Sequence, residues 1–329
     1  MRKALVSVAA AASCLLFIVI VIGSVTIVAQ STIKGEWRAD ARPDLGDPDT
    51  DRPKPWKADR KGKINIQFER WREKGGHNST GSDISLSDLG LTESQVQNGP
   101  VSFRLVREAG TIDGEGTFTD SRGKGTFTFT PNMGFVTSMK SRGFDFEQPH
   151  RNIKFNKDDD GRETIEERLL TAALLNVTTA LADDLNSANF GKLDVDDLYK
   201  AAIFHIDSKY MAEMKATGFP NLDFDDLVKG RIFNIDADYV RHVHEMGFDN
   251  RDFEGLVKFR IFKVTPEFLN ELKTAGLQDL DSEDIVKCRI FHIDGDYVRK
   301  VRSTDPNATI EDMVRMKIGV GRHRGDSWQ

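Results

Sequence analysis

From residue 169 onward, apolar residues recur along the chain at a fixed step. Leu198, Leu227, Leu256 and Ile285 are spaced by 29 residues, and so are Ile203, Ile232, Ile261 and Ile290. Gly218, Gly247 and Gly276 keep the same step. One step back, Leu169, Leu174 and Phe190 fit, with Asn189 in the place of the glycine. One step forward, Met313, Val314, Met316 and Ile318 fit after the loss of a single residue. Self-similarity at such a period marks an array of supersecondary units, each too small to bury its own apolar face. Residues 163–320 therefore read as five fuller units and a terminal half-unit. Phe135, Met139, Gly143 and Phe144 read as one more second helix, separated from the array by an insertion.

Each unit is predicted to be two short helices. The first opens on acidic residues and closes on basic ones, as Asp225 and Asp226 then Lys229 and Arg231 do, an order that suits the helix dipole. The second has an N-cap column of Thr178, Asp207, Asp236, Thr265 and Asp294. Pro266 stands at a first helical position, where a missing N–H costs nothing. The glycines then take a left-handed C-terminal cap. Stacked units give an α-solenoid, in which the column Ile203, Ile232, Ile261 and Ile290 is expected to be buried and successive in space.

The preceding region alternates with period two. Ile64, Ile66 and Phe68 alternate with Asn65, Gln67 and Glu69. Val101, Phe103 and Leu105, and then Phe127 and Phe129, do the same among polar neighbours. These are half-buried strands, and together they predict five to seven strands in a small antiparallel sandwich or partly closed barrel. Residues 40–62 and 73–82 read as polar surface loops, the first carrying Trp56. Gly114, Gly116, Gly123 and Gly125 read as close-packing positions in strands. The fold class is thus α+β, divided into residues 1–30, a β unit over 31–131, a helix and acidic linker over 132–162, the array over 163–320 and a tail over 321–329.

Residues 1–30 change the picture of where this body resides. Arg2 and Lys3 precede an uncharged apolar run over residues 4–29, long enough for the ~20 residues that a membrane span needs. The basic flank predicts a single span with the body in the periplasm or exterior. Ile27-Val28-Ala29 also reads as a signal-peptidase site, with secretion after cleavage following Ala29 as the alternative. The net charge of −6 gives no reason to expect nucleic-acid binding. Cys14 and Cys288 make neither a disulfide framework nor a zinc spacing. No nucleophile elbow or phosphate-binding glycine loop is present in the sequence.

The best metal motif covers residues 156–167. Asn156, Asp158 and Asp160 supply oxygens at loop positions one, three and five, Gly161 stands at six and Glu167 at twelve, as in a calcium loop. The alternative is an acidic linker whose last carboxylates cap a helix starting near Thr164. Calcium is the one cofactor this motif suggests. Lys229, Lys258 and Lys287, with Arg231, Arg260 and Arg289, form two basic columns. They read either as a stripe for an acidic partner or as dipole complements paired with neighbouring acidic columns. His205 and His292 share a column with Asn234 and Lys263, which reads as a polar turn position. His242 and His244 read as solvated, and Cys288 as a small buried thiol.

The run from Asp225 to Ile232, with Thr265-Pro266-Glu267-Phe268, resembles short helical repeats of exported bacterial proteins, similar to those appended to membrane metallopeptidases of the β-lactam-sensor type. The resemblance covers the array and implies an envelope protein with a repeat module. It brings no peptidase, because His244-Glu245 is followed by Phe248 where that zinc motif needs histidine. The function expected is a non-catalytic envelope interaction protein with a protein or peptide partner. Its rival is a hydrolase or ligand-sensing domain in the β unit, with the repeats as spacer.

Overall fold

The computed structural model describes residues 31–42, 61–71, 77–148, 163–219, 221–247, 253–278 and 280–319. The apolar run over residues 4–29, Trp56, and Asn156, Asp158 and Asp160 of the calcium motif lie outside the described residues. Among the described residues no helix is long and apolar enough to cross a membrane.

Six strands form one antiparallel sheet: β1 (Ile33–Asp40), β2 (Lys63–Trp71), β3 (His77–Ser85), β4 (Gly99–Arg107), β5 (Gly110–Thr119) and β6 (Arg122–Pro131). Their order is β3-β2-β1-β6-β5-β4, a continuous ladder curled into a half-barrel, and not a two-sheet sandwich. The curl has a local cause. Trp37 on β1 is fully buried, and its indole N–H donates to the Glu115 carbonyl at 3.1 Å. The ring lies where side chains from β5 and β6 would otherwise stand. A Cβ on Gly123 would come within 2.6 Å of it, and Gly116 faces Gly125 across the ladder. Phe103 and Phe118 close around the indole with ring centroids 5.4 and 5.8 Å away. The β5–β6 turn consists of Asp120 and Ser121 at φ 48° and 63°, the two left-handed residues of a tight hairpin.

Residues 77–82, expected as loop, are two-thirds of β3 and pair with β2, Gly81 standing opposite Gln67. The strand is polar and glycine-rich, with Ile84 buried near its end, so it carries no alternation of its own. The neighbouring strand imposes it. A short helix, α1 (Leu86–Leu89), follows and packs against both β3 and β4, the two edges of the sheet. Arg107 on β4 pairs with its Asp88 at 2.5 Å.

Helix α2 (Met133–Lys140) leaves the sheet. The units follow as α3 (Ile165–Leu174) with α4 (Thr179–Ser187), α5 (Val195–Phe204) with α6 (Ser208–Lys215), and α7 (Phe224–Phe233) with α8 (Ala237–Glu245). Then come α9 (Phe253–Ile261) with α10 (Pro266–Thr274), α11 (Ser282–Ile290) with α12 (Gly295–Arg302), and α13 (Ile310–Lys317) alone. Every residue of the expected N-cap column accepts from the backbone of its second helix, as Asp236 does from the Tyr239 N–H at 2.8 Å. Gly218, Gly247 and Gly276 follow their helices at φ 83°, 88° and 98°. First helices pack on the first helices of adjacent units, α5 on α7, α7 on α9, α9 on α11 and α11 on α13. α2 packs on α4, in the place of a second helix.

The expected core column is wrong. Ile203, Ile261 and Ile290 are 42 %, 39 % and 44 % exposed, and Ile232 is half-buried. The buried columns are Leu198, Leu227, Leu256 and Ile285 within the first helices, and Ile206, Ile235, Val264 and Ile293 just after them. Five residues separate Leu227 from Ile232, roughly 140° around a helix, so one face cannot bury both.

Candidate functional site

The array carries the chain's most regular chemistry on the outward face of its first helices. Three columns lie there. Acidic residues stand near the helix starts, lysines in the middle and isoleucines near the ends. Lys200 pairs with Asp225 at 2.6 Å and Lys287 with Glu311 at 2.7 Å. Between them Lys229 pairs with Glu254 and Lys258 with Glu283. Each lysine thus reaches the acidic residue of the next unit. The Glu254 and Glu311 carboxylates, accepting from the ammoniums, hold Lys229 and Lys287 above the ordinary lysine value.

The arginine column points the other way. Arg231 lies 3.8 Å from the Tyr210 ring centroid and donates to the His205 carbonyl at 2.8 Å. Arg260 repeats this with Tyr239 at 3.6 Å and the Asn234 carbonyl at 2.5 Å, and Arg289 with Phe268 at 3.9 Å and the Lys263 carbonyl at 2.5 Å. The accepting residues end the preceding first helix in the left-handed conformation, at φ 52°, 54° and 50°. Each guanidinium therefore satisfies a helix-end carbonyl while stacking on an aromatic ring. Both basic columns are occupied in joining units. His205 and His292 are left-handed turn residues, and His242 and His244 are exposed.

The ring and the arginine are 21 residues apart in sequence, Tyr210 to Arg231 and Tyr239 to Arg260. Their constant offset is the signal that reveals the clamp. The periodicity of either column alone does not.

The calcium motif is represented among the described residues by Glu167. This residue is buried, closes a capping box with Thr164 at the start of α3, and pairs with Arg70. Its Oε2 accepts from the Thr164 N–H at 2.6 Å, and Oε1 faces the Arg70 guanidinium. Both oxygens that a bidentate calcium ligand supplies are therefore engaged. Among the described residues no three His, Cys, Asp or Glu side chains are grouped to hold a metal ion. Cys288 is buried, and burial pushes its thiol up to about 12.

Two grooves bear on the rival reading. One, of about 1110 Å³, opens along the sheet and is lined by Arg38, Asp40, Arg42, Arg122 and Lys124. The Arg42 guanidinium beside Asp40 holds its carboxyl at about 2, so this carboxylate stays ionised and has no proton to exchange near neutrality. Among the described residues no serine, cysteine or histidine lines the groove. The other, of about 850 Å³, lies between β3 and the ends of α3 and α5, with Asp83, Arg107, Leu174, Ile203 and His205 in its walls. Comparison with family models, with curated proteins and with solved structures finds no match for this chain.

Proposed function

We propose that this protein is a non-catalytic interaction protein of a bacterial cell envelope, held at the membrane by residues 4–29, with α2–α13 forming a short α-solenoid that binds a protein or peptide partner. One observation carries the reading. The same inter-unit bonds recur along the array, from Lys200–Asp225 to Lys287–Glu311 and from Arg231 to Arg289. Such repetition builds an extended surface of uniform chemistry, suited to a long partner rather than to a small substrate. The apolar run and its basic flank support export and anchoring. Glu163 and Glu166, beside the Thr164 cap of α3, fit the acidic-linker reading of residues 156–167.

The test is residue-resolved cross-linking of the full chain in intact cells with a lysine-reactive reagent, read by mass spectrometry. Links to other proteins are expected from array lysines such as Lys209 and Lys273. Links confined to sheet lysines such as Lys34 and Lys124 would overturn the assignment. They would favour the second reading, a ligand-sensing sheet whose cationic groove takes an anion. Protease added outside the inner membrane is expected to digest the body while the N-terminus stays with the membrane.

A further inference from the structure

In four consecutive units, from α5 to α11, an isoleucine near the end of the first helix lies at or close to the surface. Ile203, Ile261 and Ile290 are each about two-fifths exposed, and Ile232 is half-buried in line with them. This is not an effect of the array's end. An end effect is visible elsewhere, at Met316 on α13. Met316 is 47 % exposed, whereas Ala201, Phe259 and Cys288 of the same column are buried by the next unit. The isoleucine column is exposed inside the array, where a neighbouring unit is present on each side.

The row's dimensions select its occupant. Its exposed apolar surface is on the order of 200–400 Å², comparable with the largest patch on an ordinary monomer. That is well below the ~800 Å² that each partner buries in a standard interface. Two copies meeting only along this row would be under-supplied, whereas a single chain segment would be covered. Helices packed side by side lie about 8–10 Å apart, which sets the pitch of the row. An α-helix brings the same face round after seven residues, about 10.5 Å. A strand returns to the same face at about 6.6 or 13 Å and misses alternate isoleucines. The border is charged with both signs. Lys229 and Asp225 lie three and seven residues before Ile232, and Lys258 and Glu254 stand likewise before Ile261. Each lysine–carboxylate pair reaches solvent, with Lys258 41 % and Glu283 59 % exposed. Apolar positions flanked by opposed charges are what a helix with a heptad pattern meets in its partner.

We propose that the isoleucine row seats an amphipathic α-helix of a partner protein carrying an apolar residue at every seventh position and charged residues beside it. This rests on the interaction reading above and adds the surface and the partner's pattern.

The experiment places p-benzoylphenylalanine at Ile232, Ile261 or Ile290 of the full chain in its native cells, with Lys209 on a second helix as control. After irradiation, adducts are sequenced. The expected result is that the three sites mark positions seven residues apart in one partner segment and Lys209 marks none of them. Replacing Ile232 and Ile290 by Asn should lower the adduct yield from position 261 at least tenfold, measured at a temperature where circular dichroism shows the variant as fully folded as wild type. Adducts to this chain itself would overturn the proposal in favour of a second copy, and adducts to lipid in favour of a membrane surface. Adducts at two-residue spacing, or none, would also overturn it. Cross-links from array lysines that persist in any of these cases would leave the interaction reading standing without the row.

Discussion

Leu256 and Ile261 lie on the same helix, α9, and recur with the same 29-residue period. Leu256 is fully buried and Ile261 is 39 % exposed. Truncating either to alanine removes three carbons, worth about 0.8 kcal/mol each when buried. For Leu256 the transfer loss is about 2.4 kcal/mol, and the cavity left between α7 and α11 raises it to roughly 3–4 kcal/mol. For Ile261 about three-fifths of the transfer loss applies and no closed cavity forms, so the cost is about 1.5 kcal/mol. With a urea slope of about 3 kcal/mol/M, the midpoints move by about 1 M and 0.5 M. Urea denaturation of both variants, followed by far-ultraviolet circular dichroism, measures this. Equal shifts, or a larger one for Ile261→Ala, would place Ile261 in the core and refute the assignment of columns.

Further outcomes follow from the same geometry. Gly247→Val should cost about 1–2 kcal/mol through the backbone alone, since φ is 88° and nothing lies within 4 Å of an added Cβ; thermal denaturation against wild type checks it. Arg260→Ala should cost about 2–3 kcal/mol, because a ring and a charge-assisted bond to a carbonyl are lost together, while Lys258→Ala should cost about 0–1 kcal/mol. The two denaturation midpoints compare them. Cys288, its thiol held protonated by burial, should resist alkylation at about pH 8 until the chain unfolds. Since its folded value lies above the ordinary thiol value of 9.0, the associated stability is intact below that pH and declines as pH rises toward 12. Calorimetry with millimolar calcium should show no heat assignable to residues 156–167, and Glu167→Gln should instead lower the melting temperature by freeing the Arg70 contact. A saturable heat abolished by Glu167→Gln would restore the metal reading.

The array was legible because its caps are local chemistry repeated five times. Asp236 needs only its own backbone to cap a helix, and Gly247 only its own φ, so both positions announce themselves. The same holds for β2, β4 and β6, whose buried faces are written in alternation. What escaped is set by neighbours. β3 has one buried isoleucine and is a strand because β2 lies beside it. Ile261 has the hydrophobicity of a core residue, and only the packing of α7, α9 and α11 decides which side of the helix is covered. The lysine and arginine columns were visible as charge, but charge alone does not tell a solvent-facing stripe from a set of inter-unit bonds. Of the two readings open for the basic columns, the geometry favours pairing between units, whereas the isoleucine column expected in the core is exposed. The basic columns hold the units together, and the isoleucines face outward.

Repeated helices that pack in succession leave apolar faces at their first and last members, and the two ends of this helical region are treated differently. At the first end the sheet takes the part of a missing unit. Asp184 on α4 accepts from the Ser208 N–H that opens α6 at 2.8 Å, and Glu271 on α10 accepts from the Gly295 N–H that opens α12 at 3.0 Å. For α4 the equivalent bond comes from Glu108 in the β4–β5 turn, which accepts from Thr179 N–H at 2.9 Å. α2 lies against α4, and Arg142 just beyond it pairs with Asp183 at 2.8 Å. α3 meets β3, β5 and β6, burying Leu169 and Ala173. The buried Arg168 ties this joint to the chain before it by donating to the Phe146 carbonyl at 2.7 Å. One apolar core consequently runs from Trp37 to Met313. At the far end Met316 and Ile318 remain exposed on and beside α13 among the described residues. The sheet thus has a structural duty that needs no ligand. It gives the first unit a bond equivalent to those that α6 and α12 receive from the second helices before them.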